Sequence, residues 1–122
     1  SHYLYEKQSF QAINIDSWEQ IKNLSEEEIN MLIKKYHSSS KNLKALQGIA
    51  RLICELDVSQ PEASLLLQSG VPSSKALAKM RPDKLAQKVA KLYRILNINK
   101  APMIDLKRAK KLIKAANELD IK

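Results

Sequence analysis

Residues 71–85 read Val71-Pro72-Ser73-Ser74-Lys75-Ala76-Leu77-Ala78-Lys79-Met80-Arg81-Pro82-Asp83-Lys84-Leu85, and 56 positions earlier Ile15 to Ile29 places like residues at the same spacing. Ile15, Ser17, Ile21, Leu24, Ile29 and Ile33 are answered by Val71, Ser73, Leu77, Met80, Leu85 and Val89. Further on, Glu55-Leu56-Asp57-Val58 returns as Glu118-Leu119-Asp120-Ile121 at an offset of 63, which predicts seven extra residues in the second copy. Repetition of this length signals duplicated supersecondary structure rather than an active site. It sets the expected organisation: unit one over about residues 3–58 and unit two over about 59–122, together forming one compact domain.

Beyond this stretch, apolar residues recur at helical spacing through nearly the whole chain, and start signals stand where the repeat places them. Ser17 to Gln20, Ser25 to Glu28 and Ser59 to Glu62 read as capping boxes, Ser73 as a simpler N-cap, and Asp105 as the cap of the last helix. Pro82 suits a first helical turn. The spacing predicts an all-α chain of about eight short helices, over residues 3–12, 17–23, 26–37, 40–56, 60–68, 73–79, 82–96 and 105–119, with Asn97 to Met103 as the clearest loop. Brief β-branched stretches such as Ile13-Asn14-Ile15 are too isolated to pair as strands.

Composition narrows the function classes. The chain has 122 residues, 44% hydrophobic, with two Gly and four Pro, which suits a packed globular domain. Its single cysteine, Cys54, follows Ile49, Leu52 and Ile53 and is expected to be a buried thiol. No apolar run reaches the 18 or so residues of a membrane span and no signal peptide opens the sequence, so a cytoplasmic setting is expected. His2 and His37 are too few for a zinc site, and no phosphate loop or nucleophile elbow occurs. Glu26-Glu27-Glu28 falls in a helix first turn, where carboxylates complement the helix dipole. Neither an enzyme nor a cofactor is expected.

Charge is distributed unevenly. Residues 1–62 hold 7 Lys/Arg against 9 Asp/Glu, and residues 63–122 hold 14 against 4, so the second half carries the whole net +8. Such asymmetry points to a polyanionic partner. On the helix from residue 82, Leu85, Val89, Leu92 and Leu96 make the apolar stripe, while Lys84, Lys88 and Lys91 lie about 110° round the wheel. Lys107, Lys111 and Lys114 repeat that spacing on the last helix, opposite Ala109, Leu112, Ile113 and Ala116. The first-unit counterparts are Glu28, Leu32 and Lys35, then Lys44, Gly48 and Arg51, so the fold itself does not demand the full lysine set. Lys75, Lys79, Arg81, Arg94, Arg108 and Lys110 can extend the face. A solvated helix face is the competing reading.

The run Leu56-Asp57-Val58-Ser59-Gln60-Pro61-Glu62-Ala63-Ser64-Leu65-Leu66 resembles a helix-hairpin-helix element, with Ala63 and Leu66 at the distances that motif sets. The continuation Gly70-Val71-Pro72-Ser73, then Leu77-Ala78, Pro82 and Leu85, is similar to recombinase amino-terminal domains and to a tandem helix-hairpin-helix family of unknown function. The resemblance is strongest over 55–93, with a weaker copy at 6–36. It implies an all-helical fold and binding of a nucleic-acid phosphate through backbone amides that glycine lets approach. Asp57 and Ser59 stand where the hairpin glycines would be, and a carboxylate there repels phosphate. Any nucleic-acid contact is therefore expected on the lysine face.

Two functions are carried forward. One is a non-enzymatic module that binds nucleic-acid backbone through the second unit. The other is a protein-interaction module for an acidic partner, in which Trp18, matched by Ser74 in the second unit, is either a contact residue or a packed one. A membrane-surface role ranks below both, since no basic face is paired with bulky aromatic anchors. The repeats begin and end in mid-motif. Phe10 and Leu119 are accordingly expected to lack covering helices, as in a fragment of a longer chain or a self-associating one.

Overall fold

The computed structural model describes residues 3–120, and among them every regular element is a helix. They are α1 (Leu4–Ala12), α2 (Trp18–Lys22), α3 (Glu26–Tyr36), α4 (Ser40–Leu56), α5 (Gln60–Gln68), α6 (Ser74–Ala78), α7 (Pro82–Ile95) and α8 (Leu106–Asp120). The expected eight helices are thus present, in the expected places. His2 and Ile121, which entered the metal and repeat arguments, lie outside the described residues.

The starts follow from side-chain chemistry. Ser17, Ser25 and Ser59 each accept a hydrogen bond from the amide three residues on, while Gln20, Glu28 and Glu62 accept from the cap's own amide. Ser73 accepts from the Ala76 amide at 3.1 Å, and Asp105 from the Arg108 amide at 2.8 Å.

The stops follow from backbone chirality. Asn14, His37, Asp57, Gly70 and Asn97 all take positive φ, between 55° and 88°. At three of them the same pair of bonds closes the helix. Asn14 donates to the Gln11 carbonyl and Ile15 to Phe10; Gly70 donates to Leu67 and Val71 to Leu66; Asn97 donates to Arg94 and Ile98 to Tyr93. This is the Schellman geometry, which satisfies carbonyls that the helix end would leave bare. Asp57 makes the simpler single bond, donating to the Ile53 carbonyl at 2.9 Å.

The chain divides into two compact units, Ser1–Arg51 and Leu52–Lys122, with the boundary inside α4. In the first, Phe10, Ile21, Leu24, Leu32, Leu43, Leu46 and Ala50 form a buried cluster, and Tyr3, Ile13, Ile15, Trp18, Ile29, Ile33 and Tyr36 pack on it. Gln47 is buried too, and its Nε2 donates to the carbonyls of Ile21 and Leu24 where α2 ends. Glu6 is buried as fully as the core leucines, its carboxylate accepting from the Ser39 amide at 3.1 Å and from Asn42 Nδ2 at 2.9 Å. In the second unit α8 packs on α6 and α7, and α5 packs on α7. Leu77, Leu85 and Val89 are fully buried there, as are Ile104 and Ala109. The Ser74 hydroxyl donates to Glu55 Oε1 at 2.6 Å, and Arg108 forms a two-pronged pair with Glu62, at 2.7 and 3.0 Å.

Four expectations are corrected. Cys54 is exposed, because it lies on the face of α4 away from Leu52 and Leu56. Phe10 is buried within the first unit's own cluster and needs no outside cover, and Leu119 is half-buried. Leu96 does not extend the α7 stripe: it is the C-cap residue and stands exposed, since the helix ends before another turn can bring it inward. Finally, the N-caps of the two long closing helices, Ser39 and Asp105, lie 66 residues apart rather than 63. The rise from 56 to 66 arises because α7 is three residues longer than α3 and the α7–α8 connection seven longer than the α3–α4 connection.

The left-handed stop and the Arg108–Glu62 pair each have a measurable effect on stability. A methyl group at Gly70 would meet open space, but φ there is +88°, so Gly70→Ala should cost about 1 kcal/mol of unfolding free energy from backbone strain alone, and Gly70→Asn clearly less. Chemical denaturation of the two variants checks the order. The Glu62 carboxyl is held below its ordinary range, first by its hydrogen bonds with Arg108 and then by the Ser59 amide, against a burial effect that pushes it up. A lowered folded value means stability that is present above the unfolded glutamate pKa, about 4.3, and lost as pH falls through the folded value. Arg108→Met should therefore cost about 1–2 kcal/mol near neutrality, discounted because the arginine keeps over a third of its side chain in water, and should flatten the acid limb of a stability-against-pH profile.

Candidate functional site

The basic residues read from the sequence fall on α6, α7 and α8, three helices of one unit that pack through their apolar faces. Lys84, Lys88 and Lys91 are exposed on α7, on a face turned from buried Leu85 and Val89. On α8, Lys107, Lys111 and Lys114 are exposed on the side opposite buried Ala109, Leu112, Ile113 and Ala116. Lys75 on α6 and Lys79 at its C-cap are exposed as well, as are Arg94 and Lys110. None of these lysines takes part in an ion pair among the described residues.

The two remaining arginines of the set behave differently. Arg108 is turned inward to Glu62, whose carboxylate raises its already high pKa, and is committed to joining α8 to α5. Arg81 pairs with Asp83 at 3.2 Å, with both side chains open to water. Such an exposed pair contributes little stability and opens readily to another anion. The available cations are therefore the lysines with Arg81 and Arg94, while Arg108 is committed to Glu62.

In the hairpin at 57–59 the amides of Asp57 and Ser59 are already engaged within the chain. Asp57 occupies the left-handed conformation that glycine would otherwise supply, and its amide is spent on Ile53. The Ser59 amide donates to Glu62 and the Glu62 amide to Ser59 Oγ. No donor is left pointing outward from these groups.

Trp18 is half-buried against the first unit's cluster, so the packed reading holds for it; at the position 56 residues on, Ser74 turns to Glu55 instead. Phe10 and Tyr36 also serve packing, and the Tyr93 hydroxyl accepts from the Met103 amide at 3.0 Å. These rings hold structure and offer no shared stacking surface. Among the described residues no group of His, Cys, Asp and Glu could hold a metal ion, and no helix is long and apolar enough to cross a membrane.

Two kinds of residue escape a reading of the sequence. Glu6 has the pattern of an ordinary helix-face glutamate, and only the like residue 56 positions on, Glu62, could mark it. The exposed apolar side chains from Ile95 to Leu106 fall, by periodicity, partly in a core stripe and partly in a loop.

No curated protein and no solved structure matches the chain significantly. A family described as a domain of unknown function, DUF4332, matches residues 4–119. This span takes in all the elements just described from α1 nearly to the end of α8, and the chain belongs to the DUF4332 family.

Proposed function

We propose that this chain is a non-enzymatic, cytoplasmic module built from two copies of a helix-hairpin-helix-like unit, akin to recombinase amino-terminal domains, and that its second copy binds nucleic-acid backbone. The duplication is supported by matching local chemistry 56 residues apart. Ser17 and Ser73 cap, Asn14 and Gly70 take the left-handed turn, and the Ile15-to-Phe10 and Val71-to-Leu66 bonds close the preceding helices.

One observation carries the binding reading: the exposed lysines of α6, α7 and α8 are free of internal ion pairs among the described residues. Lysine is strongly hydrated and makes a flexible point contact, which suits phosphates met in any sequence context and gives little base readout. At the N-cap offset of 66, Lys111 and Lys114 correspond to Ala45 and Gly48, and at 56, Lys84 and Lys88 correspond to Glu28 and Leu32. Lys91, Lys107 and Lys110 meet lysines, at Lys35, Lys41 and Lys44. A unit of this kind folds without a continuous lysine face, so the face serves something other than folding.

If roughly four phosphates are neutralised, affinity for a labelled duplex should fall by about two orders of magnitude between about 50 and 200 mM salt, from a slope near −0.9 per contact. Fluorescence anisotropy on the intact chain measures this. Lys84→Glu, Lys88→Glu and Lys111→Glu together should remove the binding. Retention of binding, or indifference to salt, overturns the reading.

A further inference from the structure

The connection from α7 to α8 is where the second unit departs most from the first. The first unit passes from α3 to α4 in three residues, His37 to Ser39; the second takes ten, Leu96 to Asp105. The longer connection and the helix ends beside it carry Ile95, Leu96, Ile98, Met103 and Leu106 at 65, 52, 37, 48 and 45% exposure. Only two other large hydrophobic side chains are exposed among the described residues, Tyr5 and Met31. Five within twelve residues is a concentration that a solvated loop does not require.

The segment is well tied. Asn97 takes positive φ, the Ile98 amide donates to the Tyr93 carbonyl, Tyr93 Oη accepts from the Met103 amide, and Ile104 is fully buried. The apolar side chains are thus presented on an anchored frame. Around them the charge is mainly positive: residues 84–106 contain Lys84, Lys88, Lys91, Arg94 and Lys100 against one carboxylate, Asp105, which is engaged in capping α8 by accepting from the Arg108 amide.

These features choose among occupants. A second copy of the chain would bring like charge against like charge. A bilayer site would be expected to expose Trp or Tyr at headgroup depth, and here Tyr93 is half-buried and bonded to the loop. Bases of a nucleic acid stack on rings, whereas the exposed groups are aliphatic or thioether. Branched aliphatics with a methionine, rimmed by cations, complement an amphipathic helix whose polar face is acidic.

We propose that the α7–α8 connection is a docking site for an acidic amphipathic helix of a partner protein. Its apolar face rests on Ile95, Leu96, Ile98, Met103 and Leu106, and its carboxylates meet Arg94, Lys100 and Lys107. The interaction shares Arg94 and Lys107 with the proposed phosphate-binding set and differs from it in resting on the apolar side chains.

The probe is a synthetic Leu/Glu peptide with leucines at helical i, i+3, i+4, i+7 spacing, titrated into the intact chain with methyl-labelled Ile, Leu and Met. The methyl signals of the five residues should shift together and saturate. Ile95→Ser with Met103→Ser should weaken binding at least about tenfold while changing the melting temperature little, because the two side chains are 65 and 48% exposed. A scrambled peptide of the same composition that binds as well would overturn the proposal, as would absence of saturable shifts. Stronger engagement of the same methyls by phosphatidylserine vesicles or by duplex DNA would overturn it in favour of those partners.

Discussion

A carboxylate in the opening turn of α1, and another in that of α5, is hydrogen-bonded to the head of α4 and of α8 respectively, and so fixes where each of these long helices begins. In the first unit Glu6 of α1 takes the Ser39 amide and the Asn42 side chain at the head of α4. In the second, Glu62 of α5 takes the Arg108 guanidinium at the head of α8. Helices of two or three turns are marginal by themselves and gain their stability from being held against neighbours. A charged acceptor at the point where the closing helix begins fixes its register, and Leu43 or Ala109, one residue beyond Asn42 or Arg108, is then placed in the core. The Ser9 hydroxyl donates to the Glu6 backbone carbonyl and lies 3.2 Å from the Ser38 hydroxyl, while the buried carboxylate itself is satisfied by Ser39 and Asn42 rather than left in bare hydrocarbon.

The clasp also explains which charges are free for function. Internal electrostatics in the second unit are met by Arg108 with Glu62 and by Ser74 with Glu55, and α8 spends none of its described lysines on ion pairs within the fold. What stands exposed is a lysine-rich exterior on α6, α7 and α8 and an apolar cluster on the longer connection. Both occur where the second unit differs from the first: in side-chain choice for the lysines, in chain length for the cluster.

The helices are legible in the sequence because their signals are local. Serine followed three residues on by Glu or Gln, and apolar residues at helical spacing, act through neighbours in the same turn or two. Left-handed stops are legible at Gly70 and less so at His37 and Asp57, where a residue with a side chain takes the conformation that glycine favours. Burial is harder to read. Cys54 and Leu96 each follow helical apolar series, yet one faces outward and the other lies at a helix end, and only the path of the neighbouring helices decides that. The 63-residue offset rests on Glu-Leu-Asp, whereas the caps place the helix starts 66 apart, since Glu55 lies 16 residues after its cap Ser39 and Glu118 only 13 after Asp105. Of the basic site, exposure of the lysines is legible from the wheel, and the diversion of Arg108 to Glu62 is not, because the two lie 46 residues apart.

Folding relies on the clasp and not on the lysine face. The melting temperature of Lys84→Gln, Lys88→Gln and Lys111→Gln combined, measured beside Arg108→Met, tests this most directly. Removal of three like charges from exposed positions should leave the melting temperature equal or raise it, while Arg108→Met lowers it. A triple variant that melts as early as Arg108→Met would contradict the clasp's leading role.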